Sequence, residues 1–148
     1  MSNSKQRPGV RIDEDCMTRK GLSTVLAAHG FITLGAAIIL IIAPGLIPRS
    51  VGIQLEPSAD LIAYLLAGAE IGFAVLSFGG SRVTDSRALQ LIVWSCIAFH
   101  GSSGILEVYA YIHGVSVIVL GNVAARVFVI ILFAYLSKGI ATHKTNPL

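Results

Sequence analysis

The sequence has 148 residues, of which 54% are hydrophobic and 13% are charged, and its mean hydropathy is +0.76. These values exclude an ordinary soluble globular domain and indicate an integral membrane protein. The formal net charge of +3 does not require a nucleic-acid partner, because most basic residues flank apolar runs, where membrane topology explains them. We therefore predict a lipid bilayer as the main partner and no nucleic acid.

The chain begins with a polar segment, residues 1–20, which we predict to be a disordered cytosolic tail. It lacks the closely following apolar core of a cleaved signal peptide. The first predicted span, about residues 22–42, ends before Pro44 and Pro48, because two prolines so close together stop a helix. A loop is expected from there to Asp60.

Three more apolar runs follow, at about residues 61–78, 89–112 and 115–136, before a polar tail over 139–148. Each run is about 18 to 25 residues long and can cross roughly 30 Å of hydrocarbon as a helix. The predicted fold class is therefore all-α, a polytopic membrane protein with a four-helix transmembrane bundle over residues 21–138.

Local signals refine the later spans. Gly68 and Gly72 lie near the centre of the second span, and we expect this small-residue face to be packed, because small side chains let a neighbouring backbone approach. Asp85 or Ser86 is suited to cap the third span. His113 and the following glycine predict a very tight turn before the fourth.

Lysine and arginine are distributed unequally between the two predicted sides of the membrane. Nine lie on the side that carries both termini and the middle loop, and Arg49 alone lies on the other. The positive-inside rule therefore predicts cytosolic N- and C-termini.

Polar residues interrupt the third span on one stripe, where His100, Ser103, Gly104 and Glu107 follow at helical spacing. Ionisable groups are costly in hydrocarbon, so this stripe should face protein or a water-filled cavity and is a candidate functional site. When every span is centred on the bilayer, Glu70, His100 and Arg126 share the midplane.

Two residues of the same cluster lie farther out. By the same centring, Asn122 and Glu107 lie roughly 6 and 10 Å toward the outer side. The cluster then forms one pocket that opens outward. Because Arg126 keeps its proton, it needs a carboxylate, and Glu70 is the level candidate. A buried pair of this kind also serves as a purely structural device that fixes helix register, and that alternative stays open.

A functional interpretation starts from the second carboxylate. If Arg126 pairs with Glu70, Glu107 has no cation and should remain a neutral acid able to donate a proton. We predict Glu107, His100 and Glu70 as catalytic residues. Asn122, Ser103 and Arg126 are predicted to bind the substrate, a lipophilic small molecule that undergoes isomerisation, cyclisation or epoxide opening.

A His-Gly pair occurs in both the first and the third spans, as His29-Gly30 and His100-Gly101. A lone intramembrane histidine beside glycine commonly bonds a neighbouring helix, and we expect this for His29. The sequence contains no P-loop, GxGxxG, HExxH, GxSxG or cysteine-rich metal pattern, so we predict no metal and no cofactor.

The layout of the spans also carries a resemblance. Ala43-Pro44-Gly45 ends the first span, the second is rich in glycine, and the third ends in an aromatic residue shortly before a His-Gly turn. Over about residues 22–137 this layout resembles the small four-span membrane families of the DoxX-like and DUF4345 kind. Their members often carry an arginine where this chain has Ala69-Glu70. The resemblance implies a membrane protein that is sometimes an accessory subunit of a redox or biosynthetic system.

Three functions remain in different classes. We favour a pocket that binds or transforms a lipophilic small molecule. The alternatives are a non-catalytic subunit, bound to a membrane-protein partner or to a second copy of the chain, and a small transporter or proton path. A transporter needs a polar path to both faces, which His29 alone barely begins on the cytosolic side.

Cysteine labelling tests the predicted orientation. In a background without Cys16 and Cys96, Ser58→Cys should react with a membrane-impermeant reagent applied from outside, because its loop is predicted to be external. Ser81→Cys should react only after the membrane is opened. Labelling of Ser81→Cys from outside would reverse the orientation.

Overall fold

All four predicted spans form helices in the structure, a computed structural model that describes residues 8–138, with side chains described from residue 19 onward. The elements are α1 (Pro8–Ile42), α2 (Leu46–Ser50), a turn of 3-10 helix (Pro57–Ala59), α3 (Asp60–Gly80), α4 (Ser86–Ile112) and α5 (Val119–Ser137). The helices α1, α3, α4 and α5 are long and apolar enough to cross a membrane. The predicted all-α, four-helix membrane architecture is confirmed.

The first helix begins earlier than predicted. It starts at Pro8, so residues 8–20, which we predicted to be disordered, are helical. Proline suits the first turn of a helix, and the sequence alternates in charge at four-residue spacing through Arg11, Asp15 and Arg19, which favours helix formation. The remaining predicted tails, residues 1–7 and 139–148, lie outside the described residues.

The four long helices form two pairs. α1 packs along α3 and α4 packs along α5, while contacts between the pairs are fewer. We call the end where α1 enters and α5 leaves the bundle the terminal end, and the opposite end, with α2 and residues 113–118, the loop end. At the terminal end an apolar core fills the space between the pairs; its buried members are Leu22, Leu26, Leu89, Val93, Cys96 and Phe133. At the loop end this space is a cavity.

The packed face of α3 is not the predicted glycine face. Its buried residues follow at helical spacing and include Ala63, Ala67, Ala74 and Ser77. Alanines at this spacing let α1 approach closely, and Ala63 and Ala67 pack with Ala37 and Leu40 of α1. By contrast, Gly68 and Gly72 have open space around them. The prediction that they face the bundle is wrong, because alanine stripes serve the same purpose at less entropic cost than glycine.

The helix ends follow the local chemistry. The side chain of Asp85 accepts a hydrogen bond of 2.7 Å from the Ala88 amide and caps α4 as predicted. α4 ends at Ile112, and Gly114 just beyond it has φ +99°. The Val115 amide donates a hydrogen bond back to the Ala110 carbonyl, as in a Schellman motif. The turn then continues to residue 118, so α5 begins later than predicted.

The close contact at the end of α3 gives a test of the packing. A Cβ atom at Gly80 would lie 2.9 Å from Ile92 Cγ2 and 3.3 Å from Leu26 Cδ1. The β-branched side chain of Ile92 is stiff in a helix and cannot easily turn away from the added methyl group. Gly80→Ala should therefore destabilise the protein by about 1–3 kcal/mol. Gly79→Ala is the matched control, because its Cβ would meet open space. Equal melting temperatures for the two variants in detergent would contradict this packing.

Candidate functional site

A hydrogen-bonded pair of histidines joins the two helix pairs near the middle of the bundle. His29 Nε2 of α1 lies 2.8 Å from His100 Nε2 of α4, and the two rings meet edge to face. His29 Nδ1 lies 2.7 Å from Ser77 Oγ of α3. The expectation that His29 bonds a neighbouring helix is confirmed. That its partner is His100 was not predicted.

Arg126 continues this chain of hydrogen bonds on α5. Its Nη1 atom lies 3.3 Å from His100 Nδ1, and its Nε and Nη2 atoms each lie 3.0 Å from Glu107 Oε1. Asn122 Nδ2 donates to the same Glu107 oxygen at 2.6 Å. The Arg126 guanidinium also lies 5.8 Å from the centre of the Phe99 ring. A polar chain therefore links all four long helices, from Ser77 to Asn122.

Arg126 fixes the direction of every bond in this chain. A guanidinium only donates, so His100 Nδ1 must accept and the proton of a neutral His100 lies on Nε2. That proton is donated to His29 Nε2, which leaves the His29 proton on Nδ1, directed at Ser77 Oγ. A second proton on either ring would break one of these bonds. The hydrogen-bonded chain therefore holds two neutral imidazoles, with the proton on Nδ1 of His29 and on Nε2 of His100.

The predicted ion pair between Glu70 and Arg126 is wrong. Arg126 pairs with Glu107, and no hydrogen bond or ion pair joins it to Glu70. Glu107 and Arg126 belong to consecutive helices that pack side by side, and Gly104, one turn from Glu107, lies against the Arg126 stem. Glu70 belongs to the other helix pair. Because Glu107 has a cation, the premise for a neutral Glu107 is wrong as well.

A cavity of about 780 Å³ separates the helix pairs beyond this chain. Its walls are mostly apolar side chains from α1, α3, α4 and α5, and α2 with the segment after it forms the rim at the loop end. Four of its lining residues form a polar group toward the middle of the bundle: Glu70, Glu107, Asn122 and Arg126. The volume falls within the roughly 300–1,000 Å³ typical of sites for small molecules.

Glu70 is the carboxyl group that remains free to act in this cavity. It is 9% exposed, it lines the cavity, and it has no hydrogen-bond partner within residues 19–138. Glu107 differs, because its Oε1 atom receives three donors while its Oε2 atom is buried without a partner. Two carboxylates thus lie near one guanidinium, and one of the two is unpaired.

Two other predicted site residues lie away from the cavity. His100 is separated from it by Arg126 and instead lines a smaller groove of about 380 Å³ between α4 and α5. Ser103 lines neither space. The structure therefore brings four of the six predicted site residues together at the cavity and places His100 behind them.

Among the described residues, the chain of hydrogen-bonded side chains does not continue toward the terminal end. Its last polar members there are Ser77 and Cys96, 4.0 Å apart, and Cys96 already belongs to the apolar core. Within the described part of the chain, no group of three or more His, Cys, Asp or Glu side chains is arranged to hold a metal ion.

Comparison with known proteins gives no match to a protein-family model, a curated protein or a solved structure. The resemblance to the DoxX-like families stays a prediction, and the proposals below are argued from the site itself.

The tautomers of the histidine pair give a direct test of the chain. Nitrogen-15 NMR at neutral pH should show His29 protonated at Nδ1 and His100 protonated at Nε2, because Arg126 can only donate. Variants His113→Gln and His143→Gln remove the two other histidine signals. Arg126→Met should release His100 from this tautomer. A wild-type His100 protonated at Nδ1 would contradict the arrangement.

Proposed function

We propose that this protein binds a lipophilic small molecule with one polar end in the cavity between its helix pairs. The observation that carries the proposal is the cavity itself, about 780 Å³ of mostly apolar wall with a polar group at one end. Such a site fits an amphiphile, because the apolar part displaces no hydrogen bond and the polar part meets charged partners.

The polar end of the ligand would enter first. Glu70, Glu107, Asn122 and Arg126 lie toward the middle of the bundle, while the loop-end rim contains apolar residues such as Ile53. We further propose cytosolic termini, on the distribution of basic residues, so that the rim lies at the outer side of the membrane.

Chemical transformation of the ligand, the predicted acid–base reaction, would use Glu70 in preference to Glu107. Glu107 is held by the Arg126 guanidinium and the Asn122 amide, whereas Glu70 lines the cavity with no hydrogen-bond partner among the described residues and is free to contact a substrate. Glu107 and Arg126 then position the polar end of the substrate. His100 would act only through Arg126, since Arg126 lies between it and the cavity.

A non-catalytic subunit is the second candidate, favoured by one observation. Gly68 and Gly72 form a small-xxx-small pair with open space on the outside of α3, a pattern that suits a neighbouring transmembrane helix. The partner would be another membrane protein or a second copy of the chain. A transport path has less support, because the apolar core closes the terminal end. A pure subunit would leave the cavity without a ligand, which separates the two candidates.

Ligand binding can be measured on the protein as purified in mild detergent. Native mass spectrometry with lipid extraction should find a lipophilic molecule bound to the wild-type protein. Ala125→Phe places a ring in the cavity and should lower its occupancy about tenfold or more. Ala124→Phe makes the same change at an exposed position outside the cavity lining and should leave occupancy unchanged. No bound molecule, or equal occupancy in both variants, contradicts the proposal.

A further inference from the structure

Two carboxyl groups at the polar end of the cavity have oxygen atoms to which no described residue donates a hydrogen bond. The donors of Arg126 and Asn122 that face Glu107 all converge on its Oε1 atom. Glu107 Oε2 is buried without a partner, and Glu70 receives no hydrogen bond from the described residues. A ligand that donates hydrogen bonds would therefore satisfy these oxygen atoms, and Glu70 is the acceptor that lines the cavity without a partner.

The charges at the same place give an independent argument. Among the residues that line the cavity, the charged ones are Glu70, Glu107 and Arg126. With both carboxylates ionised, their sum is one negative charge in surroundings of low dielectric. A cationic ligand would neutralise it, a neutral ligand would leave it in place, and an anionic ligand would double it.

We infer that the ligand is a lipophilic amine, whose ammonium group binds beside Glu70 while its hydrocarbon part fills the apolar cavity. The inference rests on the proposed function and names the chemical class of its ligand. An ammonium group supplies both missing features, because it is a cation and has only hydrogen-bond donors. Glu107 and Arg126 remain paired and form the wall against which the ammonium group lies.

Matched probes that differ only in the polar end test this assignment. Dodecylamine, dodecanol and dodecanoate compete for the cavity of the purified full-length protein, and native mass spectrometry reports the displacement of the co-purifying molecule. Dodecylamine should bind about tenfold tighter than dodecanol, as expected when a charged hydrogen bond replaces a neutral one, and dodecanoate should bind weakest.

Two variants with the same substitution locate the preference. Glu70→Gln should bring dodecylamine to within about twofold of dodecanol, because the amide keeps the shape of the side chain but removes its charge. Glu56→Gln removes a charge from an exposed position outside the cavity and should keep the tenfold preference.

The outcomes separate this inference from the proposed function. Dodecanol or dodecanoate binding as well as dodecylamine would overturn the inference and leave lipophilic binding intact. The wild-type comparison decides this even where Glu70→Gln does not fold. An amine preference that survives in Glu70→Gln would also overturn it. If nothing co-purifies and none of the three probes binds, the proposed function itself fails.

Discussion

The arrangement of the bundle depends on one partly buried guanidinium. Arg126 cannot lose its proton, so its position inside the apolar helices requires partners that accept hydrogen bonds. Glu107 supplies two of these bonds and His100 a third. The first contact holds α5 against α4, and the second fixes the proton positions of the histidine pair that joins α4 to α1. Loss of one partner from a fully buried pair costs about 3–5 kcal/mol because it leaves a buried charge alone, and that figure is an upper limit for this partly buried pair.

The same chain marks the boundary between two halves of the protein. On the terminal side the helix pairs close over a fully apolar core, with Leu22, Val93 and Phe133 inaccessible. On the loop side they line a partly open cavity. Dispersion and close packing hold the first half together, while the second half leaves apolar surface without a protein partner. Close packing thus lies at one end of the bundle and the cavity at the other, and the hydrogen-bonded chain lies between them.

The spans and the polar cluster were predictable from the sequence, because apolar runs of membrane-spanning length and ionisable residues within them are local signals. The pairing within the cluster was not, because it depends on which helices are neighbours and how they are rotated. Centring each span placed Glu107 about 10 Å from Arg126 in depth. The number of residues that separates each side chain from the turn between α4 and α5 gives a better measure of relative depth. Glu107 is five residues before the end of α4 and Arg126 seven residues after the start of α5, a difference of two residues or about 3 Å.

Centring failed because α4 has 27 residues and α5 has 19, so their midpoints do not lie at one level. The histidine pair had a weaker signal, the repeated His-Gly in helices that start from the same side. No sequence pattern shows that the two rings would meet, because that contact requires both the depth and the rotation of two helices from different pairs.

Arg126 also decides which residues can act on a ligand. Because it is a fixed donor between His100 and Glu107, a proton cannot pass through it from the cavity to the histidines. His29, His100 and Ser77 are therefore occupied in holding helices together, and Glu107 is occupied by Arg126. Glu70 lines the cavity and is the ionisable group of the cluster that receives no hydrogen bond from residues 19–138. An unpaired carboxyl group in an apolar cavity lowers the stability of the empty protein. A ligand that pairs with it binds only the folded state, so it restores that stability in proportion to its occupancy. The residue that weakens the empty bundle is thus the one through which a ligand can strengthen it.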